Sequence, residues 1–149
     1  KNINYSMSII GIDKNGLLVI GKYTPTRLLQ NGVMEAVTFG PQIIKAGKRM
    51  VRGNGGWGIA PRTAIGQTKD GAILMLVIDG RQVSSIGATL KDVQEILLDY
   101  GAVNAANLDG GSSTTMFYKG KVINSPCSPF GERYVPTAFV VMPSGKGGN

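Results

Sequence analysis

Apolar residues in this chain come in short runs separated by glycines and polar turns, the pattern of a β-rich protein. Strands are predicted near Ser8–Asp13, Leu17–Tyr23, Ala36–Phe39, Thr63–Thr68, Ala72–Asp79, Ala105–Leu108, Thr114–Tyr118, Lys121–Asn124 and Thr137–Met142. The longest apolar run, Ala72 to Ile78, suits a buried strand. Lys69-Asp70-Gly71 reads as a hairpin turn, because Gly accepts positive φ and Asp tolerates the turn. Asp13-Lys14-Asn15-Gly16 and Lys119-Gly120 read the same way.

One segment follows a helical period instead. Leu90, Val93, Ile96, Leu97 and Tyr100 share one face, so a helix is predicted over Thr89–Tyr100. Thr89 is its N-cap, Asp92 stands three residues on, and Gly101 is placed to end it. A shorter helix is predicted over Arg27–Gln30. The fold class is therefore α+β: a mixed, β-rich sheet with one main helix (about 89–100) and short flanking helices. The main helix lies between two strands in a βαβ-like order. That order brings Asp109 to the carboxyl end of a strand, where ligand sites are common. The segment Gly53-Asn54-Gly55-Gly56-Trp57-Gly58 reads as a mobile loop and Ser144–Asn149 as a flexible tail.

Composition narrows the chemistry. The 149 residues fit a single domain over 1–149, and 42% hydrophobic content excludes a disordered chain. No apolar run approaches the roughly 20 residues needed to span a bilayer. Lys1-Asn2-Ile3-Asn4-Tyr5 shows no apolar signal-peptide core. The lone Cys127, near two prolines, excludes an internal disulfide framework and a cysteine zinc cluster. There is no histidine, which excludes Ser-His-Asp and Cys-His catalysis and histidine metal sites. Acid–base work must fall to carboxylates, Lys, Tyr or water. The net charge of +7 suits an anionic partner. The 16 basic residues are scattered through turns without a basic stripe and interleaved aromatics, so nucleic acid is not the expected partner.

Most of the nine carboxylates have ordinary explanations in turns or on the polar helix face. Asp79, Asp109 and Glu132 do not. Asp79 follows the apolar run and opens Asp79-Gly80-Arg81; it is either a turn former or a site residue. Asp109 repeats the arrangement, with Gly110-Gly111-Ser112-Ser113 after it. Two strands ending in Asp-Gly can bring two carboxylates to one sheet edge, where they divide acid and base roles or hold a divalent cation. Glycines let a ligand approach backbone N–H groups. The plain alternative is a tight turn with serine hydrogen bonds. Arg62, Arg81 and Arg133 sit beside such turns, and Arg is suited to forked recognition of phosphate oxygens.

Five blocks then stand in order: Pro61-Arg62-Thr63-Ala64-Ile65-Gly66, Val77-Ile78-Asp79-Gly80-Arg81, Gly87-Ala88-Thr89-Leu90, Asn107-Leu108-Asp109-Gly110-Gly111-Ser112-Ser113 and Glu132-Arg133. From residue 8 to 142 the chain resembles the phosphodiester glycosidase family, which is related to the animal uncovering enzyme, N-acetylglucosamine-1-phosphodiester α-N-acetylglucosaminidase. The resemblance implies hydrolysis of a sugar joined through its anomeric carbon to a phosphodiester. It implies catalytic roles for Asp109, Asp79 and Glu132, with Asp109 as nucleophile, base or oxocarbenium stabiliser. It implies substrate binding by Arg62, Thr63, Arg81, Asn107, Gly110, Gly111, Ser112, Ser113, Asn124 and Arg133. It fixes no cofactor and leaves a divalent cation at Asp79 and Asp109 open. The implied partner is a sugar-phosphate diester or anionic polysaccharide, and the implied location is extracellular or cell-wall associated. Family members usually carry a longer N-terminal portion with an Asn-Gly-Gly-Phe-Phe-like segment. The chain therefore reads as the C-terminal part of a longer domain, with the N-terminal part of the same protein as a candidate second chain. Two other readings stay open: a non-catalytic module that binds anionic cell-wall or exopolysaccharide, and a metal-dependent phosphodiesterase that cleaves P–O.

Overall fold

The computed structural model describes residues 5–142. Their elements are β1 (Met7–Asp13), β2 (Leu18–Tyr23), α1 (Pro25–Gln30), β3 (Val33–Thr38), β4 (Gln42–Lys45), β5 (Lys48–Arg49), β6 (Arg62–Thr68), β7 (Ile73–Ile78), α2 (Leu90–Asp99), β8 (Ala102–Asn107), β9 (Phe117–Tyr118) and β10 (Lys121–Val122), with a 3-10 turn at Gly111–Ser113. They form a three-stranded sheet, β2-β1-β3, a five-stranded sheet, β5-β4-β8-β6-β7, and a β9-β10 hairpin. This is an α+β fold, mostly sheet. No helix among the described residues is long and apolar enough to cross a membrane.

Side-chain alternation along β6 explains the layering. Ala64 faces α2 and joins a core with Ile43, Ile44, Val93, Leu97 and Ala105. Ile65, one residue on, faces the other way and joins Ile10, Leu18 and Ala106 beneath the three-stranded sheet. The five-stranded sheet is thus the middle layer, and Ala64 through Gln67 are buried on both faces. Gln67 has its polar end satisfied there: Leu18 N–H donates to its Oε1 at 2.8 Å, and its Nε2 donates to Gly16 O at 2.9 Å and Gly71 O at 3.0 Å. Those bonds tie the β1–β2 turn to the β6–β7 turn. At α2, the Thr89 N–H donates to Asp92 Oδ2 at 2.8 Å and the Asp92 N–H donates to Thr89 Oγ1 at 3.2 Å. This is the expected capping box. The Thr89 N–H, and then the Thr89 hydroxyl that donates to the same Oδ2 at 2.7 Å, hold the Asp92 carboxyl below its ordinary pKa.

Several expectations are corrected. Thr137–Met142 is not a strand: Val140, Val141 and Met142 are exposed, and only Phe139 docks on the Ile10–Ile65 core. An alternating segment becomes a strand only with a ladder partner. The apolar run at Ala72–Ile78 lies at the edge of its sheet among the described residues, and Met75 is 39% exposed. Thr114–Tyr118 and Lys121–Asn124 shrink to two-residue strands. β3 and β8 start three residues before the predicted positions, while β4 and β5 were hidden by their shortness and charge. The tail over 144–149 lies outside the described residues.

The crossover from β7 through α2 to β8 decides where the site can be. β7 and β8 both pair antiparallel with β6, so they run parallel to each other with β6 between them. Their carboxyl ends therefore flank the first residues of β6.

Candidate active site

The register places the chemistry at one sheet edge. Arg62 opens β6 opposite Ile78 at the end of β7. Ala64 stands opposite Asn107 at the end of β8. Pairing continues past β8, because Leu108 N–H donates to Thr63 O at 2.8 Å and Gly111 N–H donates to Pro61 O at 2.9 Å. Gly110 makes this close passage possible: a Cβ there would lie 2.6 Å from Pro61 O, far inside contact distance.

A cleft of about 410 Å³ opens at this edge. Arg62, Arg81, Asn107, Asp109, Gly110, Gly111 and Ser112 all line it, joined by Phe39, Trp57 and Ala60. Seven predicted site residues thus meet in one hollow.

The cationic side of the cleft is built in two ways. Arg62 is only 4% exposed. Strand alternation turns it toward α2, where its Nε donates to Ala88 O at 2.9 Å and its Nη2 donates to Trp57 O and Gly58 O. Burial, and then the nearby charge of Arg81, lowers its pKa, yet an arginine keeps its proton. Arg81 is exposed, sits at a left-handed φ of 56°, and lies with its guanidinium over Gly111. The single ion pair among the described residues joins Arg49 to Glu95, far from here in the β5–α2 contact. Neither cleft arginine has a carboxylate partner among them. The two guanidiniums thus share one hollow without a counter-charge among the described residues.

Asn107 and Asp109 supply the rest. Asn107 is 1% exposed; its Nδ2 donates to Leu108 O at 2.8 Å and Gly40 O at 3.3 Å. Its Oδ1 is buried and unpartnered among the described residues. Asp109 is exposed on the cleft wall, and its carboxylate has no hydrogen-bond partner in the described structure.

The remaining predicted residues lie apart from this hollow. Asp79 is engaged elsewhere: Asn124 Nδ2 donates to its Oδ1 at 2.9 Å, and the Ser125 N–H donates to both oxygens at 3.0 and 2.9 Å. Asn124 is fully used as well, donating to Thr114 O and accepting from the Met116 N–H. Asp79 and Asn124 together pin the Asn124–Ser125 segment beside the site. Thr63 bonds Thr114, and Arg133 donates to Ser113 Oγ at 3.2 Å. Glu132 is exposed and outside the cleft lining. Among the described residues no group of three or more acidic, His or Cys side chains gathers to hold a metal. The Asp79 oxygens are bonded to Asn124 and Ser125, and Asp79 is not among the residues that line the cleft.

Comparison with known proteins follows the same residues. The phosphodiester glycosidase family model matches residues 4–142. This chain belongs to that family. It is similar to the SPbeta prophage-derived protein YomE of Bacillus subtilis, 32% identical over 120 residues, which cover 78% of this chain and 19% of that protein. It is 40% identical over 68 residues to bovine N-acetylglucosamine-1-phosphodiester alpha-N-acetylglucosaminidase, covering 46% of this chain and 13% of that one. The zebrafish catalytic domain of the same enzyme, solved in a form auto-inhibited by its pro-peptide, superposes with a TM-score of 0.70 at 26% identity, over 82% of this chain and 45% of that chain. The chain thus spans less than half the length of each relative.

Proposed function

We propose that this phosphodiester glycosidase domain hydrolyses a sugar-1-phosphodiester, with the phosphate held by Arg62 and Arg81 and the anomeric carbon facing Asp109. The observation that carries this reading is two guanidiniums without carboxylate partners and one unbonded carboxylate on the wall of a single cleft. The C1–O bond breaks and its electron pair goes to the departing phosphate oxygen. Water supplies hydroxide to C1, and its proton goes to solvent. Positive charge grows on the sugar, where a carboxylate stabilises it; negative charge grows on the phosphate, where arginines stabilise it. Phosphate is already a good leaving group, so a chain without histidine suffices.

N-acetylglucosamine is the sugar that the names of the bovine and zebrafish relatives suggest. The proposed substrates are diesters of cell-surface polysaccharide or glycan, met outside the cell or at its wall. A further portion of the domain, in the same polypeptide or as a second chain, is proposed to extend the cleft. Its support is the greater length of the relatives.

The competing reading, a non-catalytic module for anionic polysaccharide, would use the same arginines. Incubation with an N-acetylglucosamine-1-phosphodiester separates the two. The enzyme releases free sugar continuously; binding without release would favour the module.

A further inference from the structure

We infer that Trp57 and Phe39 give the cleft an aromatic wall for a sugar, with Asn107 Oδ1 as the acceptor for a sugar hydroxyl or amide N–H. The inference rests on the sugar-phosphodiester reading and deepens it, because it assigns the aromatic lining to the sugar and leaves the guanidiniums to phosphate.

The aromatic pair lines the same hollow as Arg62 and Asp109. Trp57 leaves 52% of its surface exposed, an unfavourable display of apolar area in water unless something covers it. The loop that displays it is not slack. Gly55 packs against the start of α2 so closely that a Cβ there would lie 2.7 Å from Leu90 Cβ. The Trp57 and Gly58 carbonyls both accept from Arg62. The segment expected to be mobile is therefore clamped on both sides of the half-exposed Trp57. Phe39 is fixed from behind, since it also packs on the Ile10–Ile65 core.

Asn107 contributes the polar half. Two carbonyls, Gly40 O and Leu108 O, require its NH₂ on their side and so orient the amide. The atom left without a partner is the acceptor. A buried unsatisfied acceptor is costly and gains most from a ligand donor. Aromatic faces beside one oriented acceptor fit a pyranose, which offers flat C–H faces and peripheral O–H or N–H donors. A phosphate offers neither.

Trp57 is the chain's single tryptophan, so its fluorescence reads this wall directly. The wild-type protein is titrated with free N-acetylglucosamine and, separately, with inorganic phosphate. The sugar should quench or blue-shift the emission with saturation, and by more than phosphate alone does. A response to phosphate and not to sugar, or to neither, overturns the inference. Kinetics on the sugar-1-phosphodiester give an independent check. Trp57→Ala should raise KM about tenfold with kcat within about threefold, while Trp57→Phe stays near wild type. The clamp uses backbone carbonyls, so neither change removes it. An unchanged KM in Trp57→Ala sinks the aromatic wall and leaves the hydrolase reading standing. Absence of sugar release by the wild type sinks the hydrolase reading, and the titration still decides the wall.

Discussion

Asp109→Asn is expected to lower sugar release by about 10³-fold or more, with the folded protein otherwise unchanged. The substitution keeps the size and shape of the side chain and removes its charge. Asp109 is exposed and its carboxylate has no hydrogen-bond partner among the described residues, so folding gains little from it. A change at such a surface position stays within about 0.5 kcal/mol of wild-type stability. In the proposed reaction, catalysis depends on it for a different reason. Among the described residues Asp109 is the one carboxylate in the cleft lining, and a transition state with positive sugar charge needs a negative group nearby. An amide can neither attack the anomeric carbon nor neutralise that charge. Sugar release and thermal unfolding measured on one preparation check both halves. Full activity in Asp109→Asn would remove the assignment.

Arg62→Ala should lose both stability and activity. Its guanidinium satisfies the carbonyls of Ala88, Trp57 and Gly58, and its side chain is almost fully buried. Truncation leaves those acceptors facing a void and releases the Trp57 loop from β6. The expected cost is about 3 kcal/mol, from an unsatisfied polar site plus lost packing. At this chain length that lowers Tm by roughly 10 °C. Arg62→Lys should recover only part of it, because an ammonium cannot reproduce the Nε and Nη2 fork that binds α2's lead-in and the loop together. Calorimetry on the three proteins tests this order. Equal Tm values would show that the clamp contributes nothing.

Local rules made part of this protein legible in its sequence. The capping box at Thr89 and Asp92 needs only residues three apart, and it forms as expected. The turn at Lys69-Asp70-Gly71 is local too and joins β6 to β7, and the apolar–Asp-Gly ends of β7 and β8 are brought by the register to one sheet edge. What the pattern does not carry is the partner of each exposed end. Asp79 and Asp109 look alike in sequence. Asp79 is met by Asn124 and Ser125, some 45 residues downstream, and Asp109 is met by nothing comparable. The fate of Trp57 is likewise non-local: its glycine-rich surroundings suggest slack chain, and a buried arginine from the next strand clamps it. The lone tryptophan among four glycines was the available signal. Thr137–Met142 has strand-like composition, yet no strand among the described residues offers it a ladder.

The central claim is that the cleft breaks the bond between sugar and oxygen while the phosphate leaves intact. Turnover of an N-acetylglucosamine-1-phosphodiester in heavy-oxygen water reads this directly by mass spectrometry of both products. The label is predicted in the anomeric hydroxyl of the released sugar, with none in the phosphate; label in the phosphate would mean P–O cleavage and would contradict the account.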